Sequence, residues 1–309
     1  MTVVSRVLML FVPLTVFAVG GGLYVPPQAT PAAEDETTEL ALDSLPPLPA
    51  WANEGLPDFS TIRDTTERKV AFFSYLYPRI VLANSRILLE REYLEFLAGR
   101  ERLNRGEKEW LTRQAERLRI EEPLGSPEQF ALLRKRLDVI PPSLVLAQAA
   151  NESAWGTSRF ATEGNNLFGQ WCFSAGCGLV PEGRPDGEIY EVADFRSPYY
   201  SVRSYIQNLN RHPTYQAVRD IRMKGREAGE PLSGHEMAEG LLGYSERGEA
   251  YIEEIREMIS FNNLAFYDQE FRAQLGDRSP QRFERLAASD AETVLLPGAN
   301  GGKANPFEG

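Results

Sequence analysis

The spacing of apolar side chains predicts a mostly helical chain with one interruption. From Thr65 to Leu97, Val70, Phe73, Leu76, Ile80, Leu82 and Leu88 fall on one face of a long helix, following the 3.6-residue period of an amphipathic segment. Gly99 and Gly106 punctuate the chain, and residues 107–118 repeat the pattern in a shorter helix. Ser126-Pro127-Glu128-Gln129 has the form of a capping box with proline at the first helical position. Pro141 and Pro142 break the chain before Ser143, which reads as the cap of a helix over 144–153. That helix is nearly apolar all round, so it belongs inside a core. After Gly169 the period shortens: residues 176–181, a turn at 183–187 and the alternating stretch 188–195 predict a β-hairpin. Helices return at 199–210, around 216–225, at 235–242 and at 248–262. The predicted organisation is an apolar leader over 1–25, a flexible linker over 26–58 and a helical segment over 59–138. A mixed helix-and-hairpin domain follows over 139–267, then a C-terminal tail over 268–309, largely disordered apart from a weakly helical stretch near 270–286.

Charge narrows the partners. The 309-residue chain carries a net charge of -11, and residues 140–265 alone hold 17 acids against 11 bases. Nucleic-acid binding, which needs a basic face against phosphates, is excluded. An anionic polymer would have to be gripped by stacking and hydrogen bonds. Arg6 and the uncharged run from Val7 to Val25 read as an export signal. The run is longer than a signal-peptide core and close to the length that crosses a bilayer. It is either cleaved or retained as an anchor in the inner membrane, and both place the chain in the periplasm or cell envelope. The only cysteines, Cys172 and Cys177, close a short loop. In an oxidising compartment such a pair is bridged, with two free thiols as the alternative. With only His212 and His235 besides, no metal site and no cofactor is implied.

Glu152 is the informative residue for chemistry. It ends the apolar helix, and no other charge lies between Pro141 and Arg159. Burial and the negative end of a helix dipole both raise a carboxyl pKa. A glutamic acid held protonated near neutral pH is what glycosidic cleavage needs, because the leaving oxygen must receive a proton. The alternative is a structural Glu satisfied by a buried arginine or by backbone donors.

The residues around Glu152 favour the first reading. Ala149-Ala150-Asn151-Glu152-Ser153-Ala154-Trp155-Gly156 and Asn165-Asn166-Leu167-Phe168-Gly169 resemble the glucosaminidase domain of glycoside hydrolase family 73. The likeness continues through Phe195-Arg196 with Tyr199 and Tyr200, and through Leu242-Gly243-Tyr244 with Tyr251, over roughly 140–265. Asn-Leu-Phe-Gly-Gln-Trp-Cys-Phe and the following Gly-Cys-Gly are similar to the Bax-type members. The resemblance implies an α+β, lysozyme-like fold: a helical lobe bearing Glu152 and a small hairpin lobe across a groove. It implies peptidoglycan glycan strands as substrate, cut at the β-1,4 bond after N-acetylglucosamine. A second acid on the hairpin is implied too, with Glu182 at the comparable position and Glu188 and Glu191 next. Tyr244 is expected to orient the acetamido group or to stabilise developing positive charge. Trp155, Phe168, Tyr200 and Tyr251 are candidates for lining the groove, and Asn165 and Asn166 for hydrogen bonds to the sugar; each of these has a packing role as its alternative.

Other chemistries lack their residues. The chain has no G-x-S-x-G elbow, no P-loop, no G-x-G-x-x-G and no H-E-x-x-H. The nearest enzyme alternative is a lytic transglycosylase, although its Gly-Leu-Met-Gln segment is replaced here by Asn-Asn-Leu-Phe-Gly-Gln-Trp. A non-catalytic wall-binding module is the alternative outside enzymes.

Overall fold

A computed structural model of the chain describes residues 45–298 and 303–307. The apolar leader and residues 26–44 of the expected linker lie outside the described residues. Among the described residues, eleven α-helices and three short strands follow in order: α1 (Thr65–Ala98), α2 (Arg105–Arg117), α3 (Pro127–Arg136), α4 (Pro142–Glu152) and α5 (Arg159–Gly164). The strands β1 (Trp171–Cys172), β2 (Gly178–Leu179) and β3 (Glu191–Ala193) come next. Then α6 (Pro198–Arg211), α7 (Gln216–Ala228), α8 (Gly234–Met237), α9 (Glu249–Phe261), α10 (Ala265–Gln274) and α11 (Pro280–Ala287) complete the helical body. Helices thus precede and follow a small three-stranded antiparallel sheet, the α+β, lysozyme-like arrangement that the sequence implies.

The long helix α1 departs from its expected role. It is not amphipathic: from Phe72 to Leu88 nearly every residue is buried, including Arg79, Asn84 and Arg86, and Glu90 follows. Buried polar groups must be partnered, and most of these partners come from far along the chain. Arg79 donates to the Tyr75 and Trp51 carbonyls and to Glu292. Arg86 donates to the carbonyls of Pro46 and Ala287. Asn84 exchanges hydrogen bonds with the Ile140 backbone, and Glu90 pairs with Arg117 at 2.8 Å.

Both flanking segments are therefore part of the core. Residues 45–58, expected as linker, carry the buried Trp51 and Ala52, with Phe59 beside them. The Ala52 carbonyl accepts from Ser197, and Trp51 donates to the Ser289 carbonyl. The expected disordered tail instead holds α10 and α11, whose Phe271, Phe283 and Leu286 are buried, and α11 packs on α1.

Local corrections have local causes. Ser143 does not cap α4; Pro141 and Pro142 start that helix, and the Ser143 amide and hydroxyl both donate to the buried Asp268 of α10. Ser126 caps α3 as expected, but Gln129 returns its bond to the amide of Gly125 instead of that of Ser126. The hairpin is shorter than its alternation suggests, because Pro181 and Pro185 have no amide hydrogen for a ladder. β2 pairs with β3 only at Gly178↔Ala193 and Leu179↔Val192, and β1 adds on the other edge of β3. Gly178 is required there, since a Cβ would stand 2.0 Å from the Val192 carbonyl oxygen.

Candidate active site

Helix α4 delivers Glu152 from the core to the surface. Residues 142–150 are buried, whereas Asn151 and Glu152 are half-exposed. The helix stops because Ser153 donates to the Ala149 carbonyl and accepts from the Gly156 amide. Ala154, Trp155 and Gly156 then follow with φ of 50°, 61° and 75°. Consecutive left-handed residues cost energy for anything but glycine, so packing must hold them. Trp155 meets the edges of Phe72 and Phe73 on α1, with ring centroids 5.9 and 5.3 Å away. Lys69 lies 5.1 Å from its ring centroid. Gly156 admits no side chain: a Cβ would approach Phe59 to 2.9 Å. The Glu-Ser-Ala-Trp-Gly run is thus a helix stop locked from behind by α1.

A directed chain of hydrogen bonds holds the carboxylate. Tyr251 of α9 donates to Glu152 Oε1 at 2.6 Å. Its oxygen accepts from the Gln148 amide nitrogen at 2.8 Å. The Gln148 carbonyl oxygen accepts from Tyr205 of α6. Gln148, Tyr205 and Tyr251 are all buried, and such chains polarise cooperatively in a low-dielectric setting. Tyr244 stacks on Tyr251 with centroids 5.3 Å apart and an interplanar angle of 9°, and Tyr215 lies beyond it. Burial pushes the Glu152 carboxyl above the ordinary glutamate value. Hydrogen bonds from Tyr251 and Asn151 oppose that shift, Glu254 adds to it and Arg247 offsets it. Arg247 and Glu254 form an ion pair with each other at 2.5 Å.

The sequence-derived candidates separate into three groups. Tyr251 and Tyr244 lie at Glu152: Tyr251 is buried with its hydroxyl on the Glu152 carboxylate, while the Tyr244 hydroxyl donates to the Phe168 carbonyl at 3.1 Å. A second group supports the site. Phe168 is buried and stacked on Tyr205 at 4.1 Å. Asn166, also buried, donates to the Gln170 and Ala193 carbonyls. Asn165 donates to the Phe195 carbonyl and accepts from the Leu56 amide. Tyr200 is half-buried, its hydroxyl 3.4 Å from Asn53, and Trp155 is the loop's anchor. Phe168 and Asn166 are both buried, and the contacts they make here are packing and backbone hydrogen bonds.

The third group lies on the sheet lobe. Cys172 and Cys177 form the disulfide. Glu191 is buried, and its carboxylate accepts from the amides of Gly176 and Gly178, which hold its pKa down. It ties the disulfide loop to β3 and is not a solvated hairpin charge. Glu182 is 91% exposed and 3.6 Å from Arg159, and Glu188 is exposed. Gln148, Tyr205, Tyr215 and the Arg247–Glu254 pair were not anticipated. Gln148 carried a signal: it is the lone polar residue in 144–150, one turn before Glu152 on the same helix face. A cavity of about 530 Å³, lined by Pro141, Pro142, Asp268 and Phe271 among others, lies at the opposite end of α4 and plays no part in this site.

Residues 128–264 match the glucosaminidase family described as mannosyl-glycoprotein endo-beta-N-acetylglucosaminidase. The chain is 33% identical over 200 residues to Protein bax of Escherichia coli (strain K12), a stretch covering 64% of this chain and 71% of that protein. No solved structure matches. Among the described residues, no helix is long and apolar enough to cross a membrane.

Proposed function

From a chain that belongs to the Bax-type family of glucosaminidase-domain proteins, we propose an exported peptidoglycan hydrolase that cuts the β-1,4 bond after N-acetylglucosamine, with Glu152 as general acid. The observation that carries this reading is the carboxyl's setting. It is partly desolvated at a helix C-terminus, raised in pKa, and fixed by Tyr251 at one oxygen. In the protonated carboxyl, the acidic proton is the one offered to substrate. That proton passes to the glycosidic oxygen as the bond from the anomeric carbon breaks, and water then supplies hydroxyl to that carbon and a proton back to the carboxylate. Export, and the alternative of an inner-membrane anchor, rest on residues 1–25 and stay with the proposal.

Glu152→Gln keeps the size and the Tyr251 bond but cannot donate an acidic proton. Muropeptide release from sacculi is expected to fall by about 10²–10⁴-fold, with an unchanged melting curve. Digestion at the parent rate would remove the assignment. Mass spectrometry of the parent's products tests the reaction type: reducing N-acetylglucosamine ends support hydrolysis, and anhydro ends support a transglycosylase. Glu182→Gln is expected to cost under about tenfold, because a solvated carboxylate beside an arginine offers little of the desolvation that tunes an acid or base. A loss as large as that of Glu152→Gln would give Glu182 the second catalytic role, and a small one supports attack by the substrate's own acetamido oxygen.

A further inference from the structure

The sheet lobe carries an exposed aromatic surface. Nine large hydrophobic side chains are exposed among the described residues, and Trp171, Phe173, Val180 and Ile189 fall within this one lobe. Trp171 is 50% exposed and lies beside Tyr190, ring centroids 4.6 Å apart. The pleat accounts for the arrangement. Adjacent strand residues face opposite ways, so with Cys172 packed inward on Ala193 and Phe195, Trp171 faces outward.

We propose that Trp171 and Tyr190 form a saccharide-binding platform, on which rings of the glycan strand stack beyond the bond that Glu152 attacks. Two observations select this occupant. The lobe from 171 to 193 has four carboxylates against one arginine. An acidic aromatic surface repels anionic lipid headgroups and nucleic acids, whereas neutral sugar rings offer C–H faces to aromatic faces. The platform also follows closely in sequence on the loop that packs behind Glu152. Phe168 stacks on Tyr205, which hydrogen-bonds to Gln148 in the chain that ends on Glu152. Trp171 stands three positions after Phe168, a reach of at most about 11 Å, which keeps the platform near the elements that hold Glu152. Gln170 keeps that link rigid, bonded to the Ser201 carbonyl and the Ser204 hydroxyl.

This inference rests on the glycan-cleaving reading, and the test separates the two. The full chain carrying Glu152→Gln is titrated with a soluble β-1,4-linked N-acetylglucosamine oligomer, following intrinsic fluorescence and heat. Trp171→Ala or Tyr190→Ala in that background should raise Kd about tenfold. Trp171→Phe and Tyr190→Phe should change it little, because a ring is kept. Phe261→Ala, at an exposed ring on α9 outside the lobe, should leave Kd alone. Unchanged melting curves show that the lobe survives. Equal Kd for Trp171→Ala and its parent overturns the platform, as does loss of binding to phosphatidylglycerol vesicles with glycan binding intact. If Glu152→Gln alone still turns over substrate while Trp171→Ala loses binding, the platform stands and the acid assignment falls. Absence of any oligomer binding by the parent overturns both.

Discussion

Glu152 is tuned by two opposing influences, and Tyr251 is where they can be separated. Burial raises the carboxyl pKa, and the Tyr251 hydroxyl lowers it by stabilising the carboxylate. Removing that hydroxyl should therefore raise the Glu152 pKa further and move the alkaline limb of the pH–rate profile to higher pH. It should also free Oε1, lowering kcat by about tenfold, the scale of a lost hydrogen bond to a charged group. A profile of Tyr251→Phe that falls in rate without shifting upward would show that the tyrosine does not act on the proton. Glu152 was legible in the sequence because its helix is apolar up to its last turn. Its partners were less so: Tyr251 lies 99 residues away and Tyr205 57 residues from Gln148. Tyrosines at such separations look alike whether they line a groove, as expected of Tyr251, or stand behind an acid.

Helix α4 is held at both ends by unlike means. Its C-terminus is stopped by the Ser153 turn, whereas its N-terminus is fastened to α10 through Asp268, which accepts from the Ser143 amide, the Ser143 hydroxyl and the Gly234 amide. Burial raises the Asp268 pKa from 3.8 to about 6, against those hydrogen bonds. The folded state thus holds this proton more tightly than the unfolded one. The stabilisation is fully present below about pH 4 and is lost as pH rises through about 6, a change of roughly 3 kcal/mol. Denaturant melts of Asp268→Asn and of the parent at pH 4 and pH 7 should differ in slope across this window, with the variant lacking the fall; parallel pH dependence in the two would reject the assignment. At this scale the sequence was readable where elements are local. Helix boundaries around α1, α4, α6 and α9 fell within a few residues, since caps and apolar periods are written nearby. The hairpin was found within its expected bounds, but β1 was not expected and the ladder is shorter than the alternation over 188–195 suggests, because Glu191, the disulfide and Gly178 hold the lobe with very few strand pairs.

The whole molecule closes on α1, and segments far apart in sequence complete its surroundings. Residues 45–59 cover it from one side and α11 from another, with Arg79 and Arg86 bonded to both flanks. Composition suggested linker and tail for these segments, because proline, alanine and small polar residues hide the few anchors that matter: Trp51, Phe283, Leu286 and Leu295. Deleting residues 277–309 should leave no stable fold. Each buried apolar side chain contributes about 1.5–3 kcal/mol, domains are stable by only about 5–15 kcal/mol, and Arg79 and Arg86 would lose partners as well. Far-ultraviolet circular dichroism and a melting curve check this; a truncated chain that melts cooperatively near the parent temperature would make the segment dispensable. The bond between Arg79 and Glu292 spans 213 residues, and that separation is also an interval of time. A ribosome makes α1 long before it makes the residues that seal it, and contacts of such range form late and slowly. Trp155 and the left-handed turn behind Glu152 lean on that same helix. The Glu152 site is therefore unfinished until late in synthesis, and its supporting helix is sealed only after segments far apart in the chain have met.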